Sequence, residues 1–144
     1  MRHTHIAFFY FFSVLLSMNI FANIELLKLD PGFKISIFAS DLDQPRQMIE
    51  SKNGTIFIGE RSGQIIALLD SDGNGQADSK RVIADDLTYS TGVSIFEGDL
   101  YFSEISKIWK IQDIENWLQK NSSGFPEKIL VTEDLPEDKW HGWK

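Results

Sequence analysis

The feature that most constrains this chain is an internal repeat. Three segments align: Ile37-Phe38-Ala39-Ser40-Asp41-Leu42, Val82-Ile83-Ala84-Asp85-Asp86-Leu87 and Leu130-Val131-Thr132-Glu133-Asp134-Leu135. Each is a short β-type apolar stretch running into a polar corner that ends in Asp-Leu. The corner leucines lie 45 and 48 residues apart. A second marker recurs between the corners: Thr55-Ile56-Phe57-Ile58-Gly59-Glu60 returns 44 residues later as Asp99-Leu100-Tyr101-Phe102-Ser103-Glu104. Two independent markers at nearly one period indicate a fold built by stacking one supersecondary unit.

Each period has room for four short strands. The spacing predicts them near 46–51, 55–60, 64–70 and 80–84, then near 92–96, 99–104, 107–111 and 127–132. These stretches are rich in Ile, Val, Phe and Tyr, which suit a pleated, half-buried surface. Asn53-Gly54 and Glu97-Gly98 stand where tight hairpin turns are needed. In 112–120, Ile114, Trp117 and Leu118 follow Ile111 at helical spacing, so a short amphipathic helix is expected between strands. Trp109 and Trp117 are expected in the core. Four antiparallel strands in about 40–50 residues match a β-propeller blade. The expectation is therefore an all-β propeller, of which residues 23–144 supply about two four-stranded blades and the start of a third. Phe33 to Ala39 would be an additional strand ahead of the first blade. A small β-sandwich is the alternative, although a sandwich needs no repeating corners. Blades bury their faces against their neighbours, so a pair standing alone is expected to be marginally stable.

Residues 1–22 have a different character. A basic start with Arg2, an apolar run from Ile6 to Leu16 and a small residue at Ala22 follow the order of a secretory leader. The apolar run is short against the roughly 20 residues that span a bilayer. The expectation is export to the periplasm or beyond, without stable membrane insertion once the leader is cut. Loss of the leader leaves 13 basic against 21 acidic residues. That balance argues against nucleic acid as a partner. With no Cys, disulfides and thiolate chemistry are excluded.

Two places could carry chemistry. The loop from Asp70 to Asp78 puts oxygen-bearing Asp70, Asp72, Asn74, Gln76 and Asp78 at alternate positions, with Gly75 at the turn. That is the arrangement of a structural calcium loop. Arg81 stands where a closing Glu would be, so a plain solvated hairpin is the competing reading. The second place is Trp140-His141-Gly142-Trp143. His141 follows the third corner and is the last of three histidines, the other two lying in the leader. An imidazole is suited to accept a proton near neutral pH; packing between two tryptophans would equally account for it. The repeat brings Arg46, Gln47, Ser90, Thr91 and His141 toward one rim. Glu60 and Glu104 end the second strand of each unit, where ion pairs would explain them.

Taken in order, several segments resemble the glucose/sorbosone dehydrogenase family, nearest to its sorbosone dehydrogenase-like branch. They are Pro31 to Ala39, Gln44-Pro45-Arg46-Gln47-Met48, Asn53 to Gly59, Arg61-Ser62-Gly63, the Asp70–Asp78 loop, Arg81 to Ala84, and His141-Gly142-Trp143-Lys144. The resemblance implies a six-bladed propeller in the bacterial periplasm, with pyrroloquinoline quinone (PQQ) as cofactor and Ca2+ holding it. It implies oxidation of a sugar hydroxyl or aldehyde hydrate, with His141 as general base. Most cofactor clamps would then come from later blades of the same protein. Arg46, Gln47 and Thr91 are the rim candidates present here. Two other readings remain: a calcium-dependent lactonase-type hydrolase, and a non-catalytic exported propeller that binds carbohydrate or protein.

Overall fold

The structure, a computed structural model, describes residues 24–120 and 122–137. The expected leader and His141 lie outside the described residues. The chain divides into two compact units, 1–35 and 36–144. In the first, Ile24–Leu26 forms one 3-10 turn, and the Phe33 amide closes a turn onto the Asp30 carbonyl at 3.2 Å.

The second unit holds two four-stranded antiparallel sheets, each with its strands in sequence order. The first contains β1 (Pro45–Glu50), β2 (Ile56–Glu60), β3 (Gln64–Leu69) and β4 (Ser79–Ala84). The second contains β5 (Val93–Phe96), β6 (Asp99–Ser103), β7 (Ile108–Ile111) and β8 (Ile129–Thr132). The helix α1 (Ile114–Gln119) lies between β7 and β8. All eight strands and the helix fall within two residues of their expected bounds at each end.

The strand expected over Phe33 to Ala39 does not form. Instead the Phe38 carbonyl accepts the Ala77 amide at 2.8 Å, and Phe38, Ala39 and Leu42 pack on the outer face of the first sheet. No neighbouring strand among the described residues offers this segment a ladder. The two hairpins also differ. Glu97 and Gly98 both have positive φ, at 52° and 89°. In the first hairpin only Gly54 does, at 84°, and the Ser51 hydroxyl accepts the Asn53 and Thr55 amides to close a wider loop.

The alternation of side chains gives each sheet two faces. Phe57, Ile65, Ala67 and Ile83 of the first sheet meet Leu100, Phe102 and Ile111 of the second, with Ile114 and Leu118 of α1. This seam is the main core; each large side chain buried there contributes about 1.5–3 kcal/mol. The helix is fixed to the first sheet as well. Arg81 lies 4.6 Å over the Trp117 ring and donates to the carbonyls of Leu118 (3.3 Å) and Ser122 (2.7 Å), a cation placed where carbonyls are left open beyond a helix end. The outer face of the first sheet, with Ile58, Ile66 and Leu68, is covered only in part by Phe38, Ala39 and Leu42. A groove of about 470 Å3 remains there, with Met48 71% exposed at its edge.

The corners repeat in conformation as well as in sequence. Asp41 and Asp86 have φ of 58° and 54°; Gln44 and Tyr89 have 57° and 52°. Each following corner leucine is strapped to the unit before it. The Leu87 amide donates to the Gly63 carbonyl at 3.1 Å, and the Leu135 amide to the Ser106 carbonyl at 3.3 Å. The expectation of ion pairs at Glu60 and Glu104 is replaced by a different role. Glu60 accepts the Asp43 amide (2.9 Å) and Glu104 the Thr88 amide (2.8 Å), in each case the residue after the corner leucine. A corner amide directed at a carboxylate is a charge-assisted hydrogen bond, and it fixes where the next inner strand starts.

Gly63 makes this corner possible. Its φ is 108°, and a Cβ there would meet the Leu87 carbonyl oxygen at 2.5 Å. Gly63→Ala is expected to lower stability by about 1–3 kcal/mol in a denaturant titration, adding that contact to the backbone strain. Gly54→Ala, where nothing lies within 4 Å, meets only the backbone term and should cost less. Equal losses would show that the corner contact carries no weight.

Candidate functional site

The ladders place the connections at two opposite ends. The β1–β2 and β5–β6 hairpins, the Asp70–Asp78 loop and α1 lie at one end, with Thr55 Oγ1 bonded to Glu115 across the seam at 3.2 Å. The corners and the β2–β3 and β6–β7 turns lie at the other. Of the rim residues expected from the repeat, Arg46, Gln47, Ser90 and Thr91 belong to this corner end.

β1 begins with a register shift between Pro45 and Gln47. Arg46 occupies the irregularity and is exposed; bulges commonly re-aim a side chain in this way. Gln47, also exposed, pairs with Gly59. In the equivalent stretch ahead of β5 the chain passes hard against β2. A Cβ on Gly59 would lie 2.5 Å from the Thr91 carbonyl oxygen, so only glycine admits this approach. Thr91 and Ser90 are consequently buried, 4% and 0% exposed, and the Ser90 hydroxyl has no hydrogen-bond partner among the described residues. Arg46 and Gln47 thus reach the surface of the rim, whereas Ser90 and Thr91 form its interior wall. Leu135, strapped to Ser106, brings the third corner to the same end; His141 follows it outside the described residues.

Two further features of this end were not evident from the residues. Gln47, Ser94, Tyr101 and Ser103 line a shallow cleft of about 230 Å3 across the inner strands, and the Ser103 hydroxyl there accepts the Gly92 amide at 3.2 Å. The Arg61 guanidinium lies 5.4 Å from the centre of the Tyr89 ring. The one sequence signal that could have marked Ser103 is its alignment with Gly59 in the repeat. Nothing in Gln44 or Tyr89, residues that disfavour positive φ, signals the turn that presents Tyr89.

The acidic loop sits at the hairpin end. Asp70, Asp72 and Asp78 each offer a carboxylate oxygen within 4.8 Å of the others. Asp70 accepts the amides of Gly75 (2.9 Å), Gly73 (2.8 Å) and Asn74 (3.1 Å), while Asp78 accepts the Ser71 amide. The Gly75 amide, with those of Gly73 and Asn74, holds the Asp70 carboxyl below the usual carboxylate range. Asn74 bonds Asp72 through its side-chain amide at 2.9 Å and accepts the Gln76 amide at 2.8 Å. Arg81 is committed to α1 and Trp117, so position twelve supplies no ligand.

No protein-family model matches the chain, and no curated protein does. Solved structures do. The chain is similar to the holo form of the PQQ domain of pyranose dehydrogenase from Coprinopsis cinerea, with a TM-score of 0.65 at 16% identity, over 81% of this chain and 27% of that one. It is also similar to the iodide structure of a Trichoderma reesei carbohydrate-active enzyme of family AA12, with a TM-score of 0.56 at 18% identity, over 72% of this chain and 27% of that one. The fold is a β-propeller. The two sheets are consecutive blades, and the chain spans about a quarter of the length of either similar structure.

Proposed function

We propose that this chain forms the first blades of a PQQ-dependent oxidoreductase acting on a sugar or aldehyde, six-bladed when complete and exported to the periplasm. The observation that carries the reading is the shared blade architecture with a PQQ domain at a TM-score of 0.65. The ordered resemblance of the sequence to glucose/sorbosone dehydrogenases adds to it.

The residues present at the corner end fit part of such a cofactor's needs. PQQ carries carboxylates, and Arg46 offers an exposed guanidinium, a group whose fork matches a carboxylate. Gln47 adds an amide donor and acceptor beside it. Thr91 and Ser90 contribute as a wall, since burial keeps their side chains from the rim surface. When bound, the quinone supplies the electron sink, which a protein scaffold orients and cannot replace. His141 is assigned the base that takes the substrate hydroxyl proton.

The test is reconstitution. The complete protein, with its later blades, loaded with PQQ and Ca2+, is expected to reduce a redox dye when given an aldose or sorbosone, whereas residues 23–144 alone are expected not to. If the protein binds PQQ and reduces no dye with any aldose, sorbosone or simple aldehyde, the reading fails. The acidic loop is assigned a separate, structural Ca2+. Calorimetric titration of calcium into the protein should show uptake that Asp70→Asn and Asp72→Asn abolish. Because the Asp70 carboxyl titrates below the ordinary carboxylate range, that uptake should persist to mildly acidic pH and fall away only as pH drops through the lowered value. A protein that shows no calcium heat, or the same heat after both substitutions, leaves the loop a plain hairpin.

A further inference from the structure

A cavity of about 470 Å3 opens at the hairpin end, opposite the corners, in the seam between the two blades. Ser51, Lys52 and Asn53 of the first hairpin, Glu97 of the second, and Ile114 and Glu115 of α1 line it. We propose that this cavity binds a neutral polyol, with Glu115 as its principal acceptor.

Three observations support this. One carboxylate oxygen of Glu115, Oε2, accepts the Thr55 hydroxyl at 3.2 Å. The other, Oε1, is buried and has no partner among the described residues. An unsatisfied buried acceptor is costly, and turning the Glu115 carboxylate toward the cavity would let a bound donor relieve it. Second, Glu97 is held at a φ of 52°, a position where Gly, Asn or Asp is ordinarily found. A strained residue whose side chain lines a cavity points toward use. Third, the lining alternates in kind. Lys52 donates, Glu97 and Glu115 accept, Asn53 does both, and Ile114 gives an apolar floor.

That combination selects among ligands. A hard metal ion would find an apolar floor and a competing ammonium, and an anion would meet two carboxylates. Sugar hydroxyls both donate and accept: two neighbouring hydroxyls can donate to a carboxylate while their oxygens accept from Lys52. The ring's C–H face suits Ile114. The volume lies in the range of small-molecule sites. The site shares no residue with the corner end, so it stands whether or not the chain belongs to an oxidoreductase.

The experiment titrates methyl β-D-glucopyranoside into the intact chain without PQQ or Ca2+, followed by amide chemical shifts. Saturable shifts at Asn53, Glu97 and Glu115 in the millimolar range are expected. Glu115→Ala should weaken binding at least tenfold, and Glu97→Ala, an exposed position, should weaken it severalfold with the melting profile unchanged. Absence of saturable shifts, shifts unaffected by both variants, or shifts confined to corner-end residues would each overturn the proposal. Shifts produced by CaCl2 but not by the glycoside would overturn it in favour of a cation site.

Discussion

Phe57→Ala is expected to destabilise the blade pair by about 3–5 kcal/mol, the range for removing a large buried aromatic side chain. Phe57 is fully buried in the seam, against Leu100, Phe102 and Ile111 of the neighbouring blade and the α1 residues Ile114 and Leu118. The control is Tyr101, which holds the same place in the second repeat. Tyr101 lies on the face of the second blade that points away from the seam, and it is only half-buried. Tyr101→Ala should cost well under half as much. The measurement is chemical denaturation of both variants with a shared slope. With stability expected to be small, loss of a cooperative transition in Phe57→Ala alone is the same result in stronger form. Similar losses at both positions would mean that the seam is not where stability resides. The comparison isolates packing, because strand, register position and aromatic character are shared and only the neighbouring blade differs.

The same pair of residues shows how much of the fold was legible. Strand positions followed from the repeat, since four β-rich stretches per period leave little freedom once hairpin turns are placed. Which face of a strand is covered did not follow. Phe57 and Tyr101 look equivalent in sequence, and the difference arises from the order in which blades stack. The segment ahead of β1 illustrates the opposite failure. Phe33 to Ala39 alternates like a strand, yet a strand needs a ladder partner, and the local pattern carries no information about whether one is present. Its apolar side chains Phe38 and Ala39 found a face to cover instead.

The corner end was legible as the place where Arg46, Gln47, Ser90 and Thr91 gather, but which of them reach the surface was not. Arg46 and Gln47 reach the rim because a bulge at the start of β1 turns them outward. Thr91, aligned to the same level, is buried because Gly59 lets the backbone close to contact distance. A one-residue difference in how each inner strand begins therefore decides rim or wall, and no spacing argument resolves one residue. Glu60 and Glu104 gave the clearest lesson. Repetition marked them as important, but charge suggested ion pairs. Both accept main-chain amides, at Asp43 and Thr88, donors that every residue but proline carries and that a sequence does not distinguish; Glu104 also accepts the Trp109 indole N–H at 2.7 Å.

On the proposed reading, His141→Ala is expected to lower the turnover of the complete, PQQ-loaded protein by about 10²–10⁴-fold, the contribution typical of a positioned general base. The argument begins with the corners. The second and third corner leucines are tied to the preceding turns, Leu87 to Gly63 and Leu135 to Ser106, so the chain leaving the third corner starts from the same end as Arg46 and Gln47. His141 is the sixth residue beyond Leu135. In the two earlier repeats the corresponding stretch carries Pro45 to Met48 and Ser90 to Val93, without an imidazole. A base there would take the hydroxyl proton as hydride leaves carbon, which avoids a high-energy protonated carbonyl. Its loss should fall on turnover, with KM changed little and the affinity for PQQ unchanged, measured by quenching of protein fluorescence. Added imidazole should restore part of the rate, and the acidic limb of the pH–rate profile should disappear. An unchanged rate removes His141 from the mechanism. A fall in rate matched by lost PQQ affinity would make it a packing residue of the Trp140-His141-Gly142-Trp143 segment rather than a base.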